Sequence, residues 1–407
     1  MPGPLSNIRV LDLSRVLAAP WAGQNLADLG AEVIKVERPG VGDDSRAFGP
    51  PWIKDAQGRD TKDSTYFTSA NRGKKSITLN LSKPAGQKLA RELAAKSDVL
   101  LENYKFGDLE RYHLGYGELK ILNPRLIYCS VTGFGHTGPY CERPGYDFMI
   151  QGMGGMMSVT GEPDDAPGGG PQRAGVPIAD IITGMYATIA VCAALAHRAE
   201  SGLGQHLDLA LLDSQIALLA YQNTNYFATG KPPKRIGNLH PNIVPYQPFQ
   251  ASDGEVILAC GNDNLFRKFC EAAGCAELAA DPRFLTNGKR VENRAELTRL
   301  LQKVFGKRTK KDWLALLEAA GVPNGPINDI AQVFAEPQVE ARGVKIELHH
   351  PVAGQLPLVA SPMRFSGTPL EYRLPPPLLG EHTNEVLSGL LGKTEAEIAR
   401  LRSEGAI

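Results

Sequence analysis

The sequence predicts an α/β protein: a large Rossmann-like domain with a smaller α+β domain inserted in it. Three observations predict this. The first forty residues read strand–helix–strand, the same grammar returns through the first two hundred, and the pattern changes near residue 225. Ile8 to Leu13 (IRVLDL) is an apolar run of strand length, Trp21 to Leu29 has helical spacing, and Glu32 to Glu37 (EVIKVE) is a second strand. Gly30 stands where the helix must stop, a position that favours the left-handed conformation open to glycine.

The later elements follow in order. Ser82 and Pro84 open a helix that runs to about Lys96, and DVLLEN (98–103) is the next strand. Arg125 to Val131 is another strand, Thr183 to Glu200 a long apolar helix ending before SGLG, and His206 to Leu211 a further strand. Residues 133–175 form a long stretch rich in Gly, Pro and Asp with four Met, and a stretch of that length in a compact domain is normally functional. A second loop, 230–247, reads GKPPKRIGNLHPNIVPYQ. A strand (Glu255 to Cys260) and helices near Leu265–Ala273, Arg294–Phe305 and Lys311–Ala320 come next. The expected division is therefore 1–224 with 326–407 as the large domain and 225–325 as the small one. Near the end, VKIEL (344–348) is strand-like, and the prolines at 375–377 predict an extended strap lying over another surface.

Composition narrows the function. Of 407 residues 43% are hydrophobic and 22% charged, enough for a large core. Lys+Arg and Asp+Glu both number 44, so no net field draws the protein to nucleic acid or to an anionic membrane. Any anion must be held by local basic groups. The six cysteines have neither C-x-x-C nor metal-ligand spacing, and no signal peptide is evident, which points to a reducing, cytoplasmic setting. The longest apolar run, from Gly184 to Ala196, is shorter than the roughly 20 residues a membrane helix needs.

Several motifs are missing. The first strand–helix turn, DLSRVLAAPWAG, lacks G-x-G-x-x-G, and the chain has no Walker motif, H-E-x-x-H, G-x-S-x-G or Cys/His cluster. A ligand with a diphosphate and a further phosphate would need basic side chains in place of a glycine cradle. Arg15, Lys35, Arg38, Arg72, Lys74, Lys75 and Arg111 fall at or near strand ends, where α/β proteins bind ligands, though each could equally be a solvated surface charge. In AGVPIADIITGM (174–185), Asp180 sits beside a helix start. It can cap the helix, or it can be an ionised carboxylate presented as a nucleophile. QGMGGMM (151–157), with Gly154 and Gly155, allows close approach of backbone to a ligand, and GNLHPNIVPY (237–246) sets His240 and Asn242 between prolines; both segments also read as turns.

On these residues the chain resembles the family III CoA-transferases. The resemblance runs nearly end to end, through VLDLSRVLAAPWAGQNLADLGAEVIKVERPGVGDDSR (10–46), YFTSANRGKKSITLNL (66–81), VLLENYKFGDLERYHLGY (99–116), RPGYDFMIQGMGGMMSVTG (143–161), GVPIADIITGM (175–185) and LLGEHTNEVL (378–387). It implies interlocked-ring homodimers, a catalytic aspartate at Asp180, and coenzyme A contacts at Val16, Ala18, Arg38, Arg72, Lys75, Asn103, Tyr104 and Arg111. It implies no metal or separate cofactor, coenzyme A being a substrate beside a carboxylic acid, and no nucleic-acid or membrane partner. Gly237-Asn238 is not followed by the glycine run of formyl-CoA transferases, which weighs against formyl or oxalyl substrates. The α-methylacyl-CoA racemases are also similar, but Tyr146 stands where they carry a histidine, and a phenol with a pKa near 10 is a poor second base. A coenzyme A-binding protein without turnover is the third reading. The segment 321–343 and the PPPLLGEHT strap are most similar to the succinate–hydroxymethylglutarate type, so dicarboxylic acids are the expected substrates.

Overall fold

A computed structural model describes residues 3–407. Six parallel strands form the central sheet: β1 (Arg9–Asp12), β2 (Glu32–Glu37), β3 (Lys74–Thr78), β4 (Val99–Glu102), β5 (Ile127–Thr132) and β6 (His206–Ala210). Their order is β3-β2-β1-β4-β5-β6, so the chain builds outward from β1 on one side and then from β4 on the other. Between β1 and β4 the two strand-end turns diverge and leave a crevice, the place where open α/β sheets bind ligands.

The central strands bury both faces, which is why they read as apolar runs rather than alternating ones. On one face, α1 (Ala18–Asp28) and the 24-residue helix Ile178–Ser201 pack over Val10, Val33, Leu101 and Val131. On the other face, α2 (Pro84–Ala94) packs over Leu11, Ile34 and Ile77, joined by Val386, Leu387, Ile398 and Leu401 from the end of the chain. Helix Ile178–Ser201 starts five residues before the expected Thr183, and its most apolar 18-residue window has a mean hydropathy of 1.8. By length and composition it could cross a membrane, a property that the apolar run Gly184–Ala196 alone did not reveal. It lies against α1 and the sheet; at Gly184 a Cβ would come within 2.4 Å of the Ala18 carbonyl oxygen.

Strand β3 was not legible in the sequence. KKSIT opens with two lysines, yet Lys74 is wholly buried, its Nζ 2.9 Å from Asp12, the Pro20 carbonyl and Asn71. Lys75, next along the strand, reaches Glu32 at 3.1 Å and Glu385 at 2.8 Å. The proline segment runs beside this edge strand. Leu374 accepts the Gly73 N–H, the Pro377 carbonyl accepts from Arg46, and His382 N–H donates to the Ser76 carbonyl at 2.8 Å. An open sheet edge is covered by these bonds.

The chain divides into two compact units: 3–156, 174–229 and 340–407 in one, 157–173 and 230–339 in the other. Segments 157–173 and 326–339, assigned to the large domain from sequence, thus belong with the middle of the chain. The second unit holds a three-stranded antiparallel sheet (Asn324–Pro326, Gly254–Ala259, Tyr246–Ala251). Helices Asp263–Ala273, Arg294–Phe305 and Lys310–Ala319 cover a core in which Phe249, Phe269, Phe305 and Trp313 stack.

Candidate active site

The turn after β1 is built from buried charge. Lys35 ion-pairs with Asp43 at 2.8 Å, with both side chains inaccessible. Asp43 in turn accepts the N–H of Val16 at 3.0 Å and of Ser45 at 2.9 Å. Burial would raise the Asp43 carboxyl, but Lys35 and the Ser45 donors hold it well below the usual carboxylate range. These contacts keep Val16 at φ +71°, a left-handed conformation that a β-branched residue adopts only when its surroundings impose it. Across the crevice Asn103 clamps the same turn: its Oδ1 accepts the Arg15 N–H at 2.8 Å and its Nδ2 donates to the Arg15 carbonyl at 2.6 Å. Just behind it, Glu102 accepts the Tyr104 N–H at 2.8 Å, and burial pushes its carboxyl up to about 7.

The crevice is a cleft of about 170 Å³ lined by Arg15 to Ala18, Asn103 to Phe106, Arg143 to Tyr146, Gly133 and Asp180, all from the first unit. Two larger cavities, of about 400 and 920 Å³, lie elsewhere in that unit and do not reach Asp180.

Asp180 lies in the first turn of the helix Ile178–Ser201 but does not cap it. The N-cap position is Pro177, with no side-chain cap. Asp147 supplies the missing acceptor from the helix Asp147–Met153: its Oδ1 takes the Ala179 N–H at 2.8 Å, and its Oδ2 takes the Gln151 amide at 2.7 Å. Capping by Asp180 itself is thereby corrected, and its carboxylate is left for other work. Burial, then the nearby Asp147 charge, pushes the Asp180 carboxyl up to about 7. Tyr66, half-buried, feels the same charges; burial and then Asp180 drive its phenol up to about 12, so it stays protonated.

The segment carrying Tyr146 and Asp147 is pinned by two glycines. A Cβ on Gly145 would lie 2.2 Å from Gly133 Cα, so only backbone can meet backbone there. Neither Asp147, Tyr66 nor this glycine pair was singled out from sequence. RPGYD offered the signal for the first, but no local pattern shows that 133 touches 145.

The expected coenzyme A residues separate into two groups. Val16, Ala18, Asn103 and Tyr104 line the cleft. Arg38, more than half exposed, stands beside it through Asp44, 3.5 Å away, which also takes Arg15 at 3.3 Å. Arg111 is exposed and pairs with Asp108. Arg72 and Lys75 lie with the start of β2 instead, around the 400 Å³ cavity. Arg72 is buried there in a two-bond pair with Asp28, at 2.9 and 2.6 Å. Gly154 donates its N–H to the Ile150 carbonyl at 2.7 Å and packs against Gln215, and Gly155 takes φ +85° at the helix end. His240 and Asn242 belong to the second unit, where the Asn242 N–H donates to His240 Nδ1 at 3.1 Å and His240 sits 5.2 Å from the Tyr246 ring.

Comparison with known proteins places this geometry in a class. The model of CoA-transferase family III matches residues 5–383. The chain is 50% identical over 387 residues to a succinate–glutarate CoA-transferase of Agrobacterium fabrum, covering 95% of this chain and 96% of that protein. It is 43% identical over 404 residues to the human succinyl-CoA:glutarate CoA-transferase, covering 99% and 90%. A crystal structure of a CAIB/BAIF family protein from Brucella suis superposes with a TM-score of 0.83 at 51% identity, covering 96% of this chain and all of that one. The chain belongs to CoA-transferase family III, and its enzyme class is acyl-CoA:carboxylate CoA-transferase.

Proposed function

We propose that the protein moves coenzyme A between dicarboxylic acids, with Asp180 as the covalent carrier. The observation that carries this reading is the position of Asp180: partly buried in the switch-point cleft, relieved of capping by Asp147, with its carboxyl raised to about 7. A carboxylate that is less stable in water-poor surroundings is a stronger nucleophile than a solvated one. The activities for which the Agrobacterium and human relatives are named, at 50% and 43% identity, favour succinate and glutarate as the acids.

In the first step an Asp180 oxygen bonds to the acyl carbon of the donor thioester. The C–S bond breaks and its electron pair leaves on the coenzyme A thiolate, giving a mixed anhydride. The thiolate then attacks the Asp180 carbonyl carbon, releasing the donor acid as carboxylate and leaving an aspartyl-CoA thioester. The acceptor carboxylate attacks that thioester, and the same two steps in reverse yield the new acyl-CoA and free Asp180. No proton or electron is gained or lost, so coenzyme A enters as substrate and no metal or redox group is called for. Each tetrahedral oxyanion needs N–H donors. The start of α1, where Leu17 and Ala18 line the cleft and the first turn has no side-chain cap, is better suited than Gly154, whose N–H is already bonded, or than Val16, whose N–H is held by Asp43.

The racemase reading requires a second base. Tyr146, in the cleft and largely exposed, is a phenol and does not meet that need. We further propose an interlocked homodimer: the long helix exposes Met185, Tyr186 and Ile189, an apolar face that a second chain would cover. All six cysteines are free, consistent with a cytoplasmic enzyme. The test is direct. Protein incubated with succinyl-CoA and glutarate should yield glutaryl-CoA and succinate in equal amounts. Hydrolysis of succinyl-CoA alone, or no reaction, would overturn the proposal.

A further inference from the structure

Arg143 stands in the same cleft as Asp180 and belongs to none of the ion pairs of the described residues. Its guanidinium carbon lies 4.4 Å from the centre of the Tyr140 ring and 5.3 Å from that of Phe134. Those two rings are themselves packed edge to face at 5.5 Å. Aromatic rings accept no more than part of a guanidinium's hydrogen-bonding capacity, so N–H groups remain for a ligand. Two other cations line the cleft: Arg15 is shared between Asp44 at 3.3 Å and the Tyr104 ring at 4.9 Å, and Lys105, exposed like Arg143, is an ammonium without the planar fork of a guanidinium.

Arg143 is also tied to the nucleophile by the backbone. It lies four positions before Asp147, at most about 14 Å of extended chain, and Asp147 accepts the N–H groups of Ala179 and Asp180. The segment between is pinned where Gly145 meets Gly133. The guanidinium is therefore carried into the cleft of Asp180 on a short segment braced by the Gly133–Gly145 contact.

We infer that Arg143 is the specificity-determining residue that binds the distal carboxylate of a dicarboxylic substrate while its other carboxyl group reacts at Asp180. The inference rests on the reading of the protein as a dicarboxylate CoA-transferase. A carboxylate carried into this cleft leaves water, and a pre-oriented fork that offers two parallel N–H bonds compensates it better than a mobile ammonium does. A monoester of the same acid has the same length but cannot accept such a charged pair.

The experiment compares glutarate with monomethyl glutarate as acceptors, with succinyl-CoA as donor for both, so that any effect on the donor cancels in the ratio of kcat/KM. The wild type should prefer glutarate strongly. Arg143→Gln should cut that preference by about ten- to a hundred-fold, the worth of a charge-assisted hydrogen bond. Arg143→Lys should restore part of it, and melting curves of both variants report on folding. A wild type that uses the two acceptors equally, or an Arg143→Gln variant that keeps the preference or loses both acceptors in proportion, overturns the assignment. A wild type that transfers coenzyme A to neither acceptor overturns instead the dicarboxylate reading on which it rests.

Discussion

Asp147 accepts the backbone N–H of Asp180 at 3.4 Å while its negative charge helps raise the carboxyl of the same residue. One acidic side chain thus anchors the helix that carries Asp180, the proposed nucleophile, and contributes to the acidity of that residue. The lesser share is electrostatic; burial is the larger cause of the shift.

Asp180→Asn and Asp180→Ala should both reduce transfer to background, since neither side chain can form the anhydride. Because Asp147 does the capping, neither change should unfold the helix. In the wild type, hydroxylamine added with succinyl-CoA should trap the activated Asp180 as a hydroxamate, read by mass on the peptide that contains it. A folded Asn variant that still exchanges coenzyme A at near wild-type rate would overturn the mechanism.

The same substitution should stabilise the fold above neutral pH. The Asp180 pKa is raised on folding, from about 4 to about 7. The folded state therefore holds this proton more tightly, a stabilisation fully present below pH 4 and lost as pH rises through 7. Above that, the ionised carboxylate costs stability that asparagine does not. Thermal melts at pH 8 should place Asp180→Asn a few degrees above the wild type, and melts near pH 4 should bring the two together.

Transfer needs the carboxylate, so kcat/KM for the acyl-CoA should rise with pH and level off above about 7. Asp147→Asn removes the neighbouring charge while keeping an acceptor for the Ala179 N–H. Its acid limb should move to lower pH, and a limb that stays in place or moves upward would show that Asp147 does not act on Asp180.

Two arginines expected to bind coenzyme A should respond differently. Arg38→Ala removes an exposed charge beside the cleft and should raise the acyl-CoA KM about tenfold, with little change in Tm. Arg72→Ala leaves Asp28 buried and unpaired, which costs about 3–5 kcal/mol. It should lower Tm sharply and leave the KM of the surviving folded enzyme nearly unchanged.

Gly184→Ala would place a methyl group 2.4 Å from the Ala18 carbonyl oxygen, forcing the long helix away from α1. Overpacking of this kind costs about 1–3 kcal/mol. Because Asp180 rides on that helix and Ala18 lines the cleft, kcat should fall together with Tm.

The sequence by itself determined the sheet's first strands, the helices between them and the position of Asp180, because these follow from apolar runs and spacing within a few residues of each other. Buried parallel strands such as β1, β4 and β5 are apolar on both faces and advertise themselves. Strand β3 did not, since Lys74 is compensated by Asp12 from another strand, a pairing that no local pattern displays. The same limit explains the site. Whether Asp180 caps its helix depends on Asp147, thirty-three residues earlier, and which basic residues reach the cleft depends on which end of each strand they occupy. Arg72 and Lys75 looked equivalent to Arg38 in the sequence; in the folded chain Arg72 pairs with Asp28 and Lys75 with Glu32 and Glu385, while Arg38 stands beside the cleft through Asp44. Charge and hydrogen bonding act through space, so their partners become known only once the chain has folded.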